Sequence, residues 1–238
     1  MLLFILSQVF DLRIEQSRVE VEIVGQGSDK VKVDAKTYGY EENAKEYYKY
    51  KITENTKFTI PQTSKLRIKV IGNITCTHSA VVLNKCEGDF PKIKIYGVID
   101  SLDIECKLCL IEFNLTVNEG RALIDNGIVR GDFKANNNFN WTFMNANGDF
   151  RNYFGSGKII NRDGYIKLRT NGSLKVVYSK DLGDFKVYGK NIKCFACQGE
   201  MGSSDKVLYV EQSNGSFEVS RWIISIRCIW KFYQKGVI

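Results

Sequence analysis

Gly-Asp-Phe occurs four times in this chain of 238 residues, at Gly88–Phe90, Gly131–Phe133, Gly148–Phe150 and Gly183–Phe185. Three copies run directly into a basic residue, Lys134, Arg151 or Lys186. Looser versions keep the glycine, polar, apolar order: Gly72-Asn73-Ile74, Gly164-Tyr165-Ile166, Gly172-Ser173-Leu174 and Gly215-Ser216-Phe217. Glycine supplies the backbone freedom of a tight turn, and the apolar residue two places on is the first inward position of a strand. Repetition of one short turn–strand unit confines the chain to a β-architecture assembled from similar pieces. Phe90, Phe133, Phe150 and Phe185 are therefore expected in the core, at equivalent strand starts.

The spacing adds a period. Gly131, Gly148 and Gly164 are 17 and 16 residues apart, Gly155, Gly172 and Gly189 are 17 and 17, and Gly183, Gly199 and Gly215 are 16 and 16. A constant step of this size matches one coil of a parallel β-solenoid, each coil stacking on the last. On repeats such as Gly131-Asp132-Phe133-Lys134 the chain resembles bactofilins and adhesin-type β-solenoid families over about residues 66–220. That resemblance implies a stacked-coil fold and carries no functional residue with it. Against it stand Asn126-Gly127, Asn147-Gly148, Asn171-Gly172, Asn214-Gly215 and Asp163-Gly164. These are favoured type I′ hairpin dipeptides, and hairpins build an antiparallel β-sandwich or jelly roll. The fold class is all-β, with the solenoid favoured and the sandwich a close alternative. Only two prolines, Pro61 and Pro91, interrupt the chain, as a strand-rich protein requires.

Residues 1–60 differ in texture and read as an N-terminal β segment or arm, with 61–238 as the repeat domain. Val19-Glu20-Val21-Glu22-Ile23 alternates, Glu41 to Lys51 reads as a short helix or exposed loop, and Thr59 to Ser64 reads as a linker. At the start, Leu2, Leu3, Phe4, Ile5 and Leu6 are apolar. The run lacks a basic leader and is too short to span a bilayer. Together with Val9 and Phe10 it must be buried, either as a strand of its own domain or as an assembly arm given to a neighbour. Residues 222–233 alternate like a half-buried strand.

Chemistry-bearing residues are sparse. Seven cysteines include two Cys-x-x-Cys pairs, Cys106/Cys109 and Cys194/Cys197. Paired motifs of this kind can hold zinc, but residues three apart on a strand face opposite ways. Disulfides, Cys76 with Cys86 or a link between the two motifs, stand beside plain buried thiols as the two readings, and no metal or cofactor is expected. The lone His78 has no evident partner for catalysis. Asp100, Asp103 and Glu105 could serve glycoside hydrolysis, yet alternate acids on a strand usually form a solvated face. Arg130-Gly131-Asp132 matches an integrin-binding tripeptide, but its Gly-Asp belongs to the repeated turn. Five glycosylation sequons, at Asn73, Asn114, Asn140, Asn171 and Asn214, are either acceptors or good turn chemistry.

The formal net charge of +7 admits an acidic partner, and Lys45 to Lys51 is the densest basic–aromatic stretch. The reading is a non-enzymatic structural or surface protein. It would assemble with itself or other structural subunits into a virion, an appendage or a surface layer, outside the cell or on a particle; a cytoplasmic site stays open. The alternative is a basic–aromatic binding module for nucleic acid or acidic glycan, and the third reading is a carbohydrate-acting enzyme.

Overall fold

A computed structural model describes residues 8–14, 19–26, 32–34, 38–40, 47–52, 55–72 and 90–221, and every element among them is a strand. In chain order these are β1 (Val9–Ile14), β2 (Glu20–Gln26), β3 (Lys32–Asp34), β4 (Tyr38–Tyr40), β5 (Tyr47–Ile52), β6 (Thr56–Pro61), β7 (Lys65–Ile71), β8 (Lys92–Lys107) and β9 (Leu110–Asp125). Then come β10 (Ile128–Met144), β11 (Asn147–Arg162), β12 (Gly164–Thr170), β13 (Lys175–Lys180), β14 (Asp184–Val187), β15 (Lys190–Asn191), β16 (Cys197–Met201), β17 (Val207–Gln212) and β18 (Gly215–Arg221). Pairing is parallel through the stack and antiparallel only where β3, β4, β15 and β16 close its ends. This is a β-solenoid-like fold, and the Asn-Gly dipeptides do not make hairpins.

The long strands β8 to β11 each cross two faces. On one face the order is β6, β2, β8, β9, β10, β11, β12, β18, β14. On the other it is β5, β1, β7, β8, β9, β10, β11, β17, β13. Chain order is broken at both ends. The first coil, β1–β2, lies inside the coil formed by β5–β6, and the last, β17–β18, lies inside β13–β14. The expected linker at Thr59 to Ser64 is the end of β6 and a turn into β7, and the strands before and after it share both faces. Tyr47 to Lys51, the described end of the segment expected as a helix or loop, lie on β5.

Alternation along each strand sends every second side chain inward. Val21, Ile93, Ile111 and Val129 stack in one column of the first face. Phe10, Leu66 and Leu102 stack in one column of the second. Rings meet between the faces: Phe133 lies 4.8 Å from Phe139, and Phe150 lies 5.0 Å from Trp141, edge to face in both pairs. Such rings bury about 150–250 Å² each and dominate the core. Glycine makes room for them. Phe139 sits between Gly120 and Gly157 in register, and a Cβ on Gly120 would come 2.9 Å from the Phe139 ring.

Phe90, Phe133, Phe150 and Phe185 are all buried, 0–3% exposed. They are not equivalent in register. Phe150 pairs with Gly131, not with Phe133, and Phe185 pairs with Phe217. The coil step explains why. Lys92, Leu110, Ile128, Asn147 and Tyr165 lie in one column, so successive coils take 18, 18, 19 and 18 residues. A glycine step of 16 or 17 therefore slides along the coil instead of marking it.

Candidate binding surface

The outward side chains of the first face form a ladder of alternating charge. In register, and in spatial order, stand Lys57, Glu22, Lys94, Glu112, Arg130, Asp149, Lys167, Glu218 and Lys186. Several neighbours are in direct contact: Lys57 with Glu22 at 2.6 Å, Arg130 with Glu112 at 2.7 Å, and Glu218 with Lys167 and Lys186 at 3.8 and 3.7 Å. Lys92 also reaches Glu112 at 3.2 Å. Burial alone would raise the Glu112 carboxyl, but hydrogen bonds from Arg130 and Lys92, with their charges, hold it below its ordinary value. Lys94 is raised by its hydrogen bond to Glu20, against the effect of burial. Each surface pair contributes about 0–1 kcal/mol, so the ladder's larger effect is on which strands accept each other.

Beside the ladder run two further outward rows. One holds Tyr96, Asn114, Asp132 and Asn152; the next holds Val98, Thr116, Lys134 and Phe154. Between them lies an open groove of about 370 Å³ lined by these rows from Val98 and Asn114 to Asn152 and Phe154. Lys134 and Lys206 place their ammonium groups 6.0 and 5.6 Å from the Phe154 ring centre. Arg151 lies 3.7 Å from Asp132. Adjacent strands are about 4.8 Å apart, so amide, carboxylate and amide recur at that interval beside a ring and two cations. The groove offers hydrogen bonds, an apolar ring and positive charge, which is binding chemistry. Coil spacing was the signal for it: Tyr96, Asn114 and Asp132 are 18 residues apart.

The acidic cluster near residue 100 is dispersed among partners on neighbouring coils. Asp100 accepts from Asn118 at 2.7 Å, Asp103 is held by Arg121 at 2.9 Å, and Glu105 meets Lys69 at 3.1 Å. Of the sequons, Asn114 lies in the groove. Asn140 lies on β10 and accepts from the Lys158 backbone at 3.1 Å, Asn171 is exposed at a turn, and Asn214 donates to Asp163 at 2.7 Å. Cysteine pairing differs from the expected link between motifs. Cys106 joins Cys109 and Cys194 joins Cys197, each within its own Cys-x-x-Cys. The physical reason is a turn between the partners: Leu108 and Ala196 take positive φ, 55° and 47°, and undo the strand alternation. Cys76, Cys86, Asn73, His78 and Leu2 to Leu6 lie outside the described residues. Val9 and Phe10 do not: both lie on β1, between β5 and β7, where Val9 is half-buried and Phe10 is fully buried and belongs to the protein's own core. The lysines of the Lys45 to Lys51 stretch that are described, Lys49 and Lys51, are exposed on β5.

No family model matches the chain, and no curated protein matches it. Among solved structures, a Clostridium sporogenes protein described as a "putative cell adhesion protein" is similar at 10% identity, with 91% of this chain and 93% of that one covered and a TM-score of 0.32. Nothing of that protein's role is carried across at such a score. Among the described residues no helix is long and apolar enough to cross a membrane.

Proposed function

We propose that this chain is a non-enzymatic structural protein that works at a surface, of a cell or of a particle, as a stiff stacked-coil unit. The observation that carries the reading is the nine-member charge ladder, which sets charges of alternating sign against each other on every strand of the first face. Asp100, Asp103 and Glu105 support the same reading, since each is engaged by a neighbouring coil. Self-assembly through the apolar start of the chain completes it. The test is light scattering and negative-stain imaging of the full chain against a form lacking residues 1–7. The full chain is expected to form regular assemblies and the shortened one to stay folded and monomeric. A full chain that remains a monomer at every concentration overturns the assembly.

A second reading, a module that holds an acidic glycan, is favoured by the groove with Lys134 and Lys206 flanking Phe154. Retention on a sulfated glycan column that Lys134→Gln and Phe154→Ala both abolish would select it, with the retention falling steeply in salt.

A further inference from the structure

We propose that Cys194–Cys197 is a redox-active disulfide that exchanges with a small anionic dithiol bound in a cationic cleft at the C-terminal end of the stack. The two Cys-x-x-Cys pairs have the same spacing and opposite surroundings. Cys106 and Cys109 are 1% and 0% exposed, within the stack. Cys194 is exposed and Cys197 half-buried, at the start of the edge strand β16. A disulfide open to solvent is the one that thiols can reach.

A cleft of about 480 Å³ adjoins it. Cys194 lines this cleft together with Lys180, Lys186 and Lys193, against the carboxylates of Asp184 and Glu218. Lys186 and Glu218 are partners at 3.7 Å. Lys180 is the unusual member. It is a lysine only 4% exposed, and its ammonium donates to the Cys194 carbonyl at 2.7 Å. Its backbone is directly opposite Cys197 in the antiparallel pair of β13 and β16. Opposed residues of such a pair share a face, so a fixed positive charge lies on the same side as the Cys197 sulfur. A neighbouring ammonium favours thiolate over thiol, and a better thiolate leaves faster.

The exchange balances without any further reagent. A thiolate of the dithiol attacks the exposed Cys194 Sγ. The Cys194–Cys197 bond breaks, and Cys197 Sγ departs with the electron pair beside Lys180. The second thiol of the dithiol, its proton passed to water, attacks its own sulfur in the mixed disulfide. Cys194 leaves as a thiolate. The dithiol is oxidised by two electrons to a cyclic disulfide, the protein pair is reduced by two, and the protein thiolates take up protons from water.

The experiment uses the full oxidised chain under native conditions, with dihydrolipoate and its neutral amide as probes. Alkylation at timed intervals and mass spectrometry read each cysteine. Cys194 and Cys197 are expected to open about tenfold faster than Cys106 and Cys109. Dihydrolipoate is expected to outpace the amide, with the advantage lost in high salt. Lys193→Gln, at an exposed rim position, is expected to remove that advantage, and Lys180→Gln to slow both probes. If Lys180→Gln does not fold, Lys193→Gln alone decides. Opening of both pairs together, only when the β signal of the protein is lost, overturns the proposal and makes the pair a staple. Equal rates for the two probes, or a wild-type rate in a folded Lys193→Gln, also overturn it.

Discussion

Glu218 of β18 stands between Lys167 of β12 and Lys186 of β14, 3.8 and 3.7 Å from their ammonium nitrogens, although β18 follows both strands in the chain. Glu22 of β2 stands in the same way between Lys57 of β6 and Lys94 of β8. Stacking in chain order would bring Lys167 against Lys186, and Lys57 against Lys94. Like charges directly opposed on adjacent strands are destabilising. The alternation of charge thus favours the interleaved order at both ends over the sequential one.

The first prediction follows from that arrangement. Glu218→Gln should cost about 0.5 kcal/mol, the scale of an exposed pair. Glu218→Lys, which sets three ammonium groups in a row, should cost roughly 1–2 kcal/mol. Adding Lys186→Glu to Glu218→Lys should recover about half of the loss, since Lys167 still opposes the new lysine. Urea unfolding of the four proteins decides it. Equal midpoints would mean that the ladder has no part in strand order.

The core phenylalanines could be read from the sequence because the apolar position of a turn–strand unit does not depend on how units stack. The coil length could not, because glycine serves different ends in the three described copies of the repeat. Gly131 has φ 128° at a break in register, with Phe113 and Phe150 on either side. Gly148 occupies a core column where a Cβ would press on Phe150 and Phe143, at 3.2 and 3.4 Å. Gly183 takes φ 82° in a turn. The groove was half legible. Asn114 drew attention only as a sequon, while Phe154 and Lys206 are brought together by pairing between β11 and β17, which local sequence does not reveal.

Acid should weaken the fold through Glu112. Its carboxyl is held below its ordinary value of 4.5 in the folded state. A depressed carboxyl stabilises the fold fully above its unfolded value and loses that effect as pH falls through the folded one. The melting temperature should therefore drop from about pH 4.5 downward. In Glu112→Gln it should start lower and fall less over the same range. Parallel curves for the two proteins would assign acid sensitivity elsewhere.

Tyr153 carries a buried hydroxyl in the aromatic core with no hydrogen-bond partner among the described residues, and burial pushes its ionisation far up, so it stays neutral. An unsatisfied buried hydroxyl costs about 1–3 kcal/mol. Tyr153→Phe keeps the ring contacts with Phe133 and Phe150 and removes the hydroxyl. It should raise stability by about 1 kcal/mol. A lower melting temperature in the variant would contradict this.

Gly97 has φ 89°, and a Cβ there would lie 2.1 Å from the Gly25 carbonyl oxygen. The two glycines are paired where β2 and β8 approach the corner of the coil. Gly97→Ala combines backbone strain with a clash against main chain that has no room to rotate away. A loss of about 2–4 kcal/mol is expected, read as a fall in the urea midpoint. A neutral result would show that the inserted first coil is not held as tightly as this contact implies.

The last prediction separates the apolar start of the chain from the core it leads into. Phe10 is fully buried and stacks on Tyr48 at 4.9 Å, and β1 is paired on both sides, with β5 and β7. Removing residues 1–7 leaves that strand whole. Removing 1–10 cuts away Val9 and Phe10, so that Tyr47 and Tyr48 of β5 and Lys65 and Leu66 of β7 lose their partners on β1. Phe10→Ala alone should cost about 3–5 kcal/mol, the range for a deleted core ring. The shorter truncation should keep the melting temperature of the full chain, and the longer one should melt well below it or fail to fold. If both truncations melt alike, the buried coil at this end contributes little to stability. If the shorter one already unfolds, residues 1–7 belong to the core rather than to assembly.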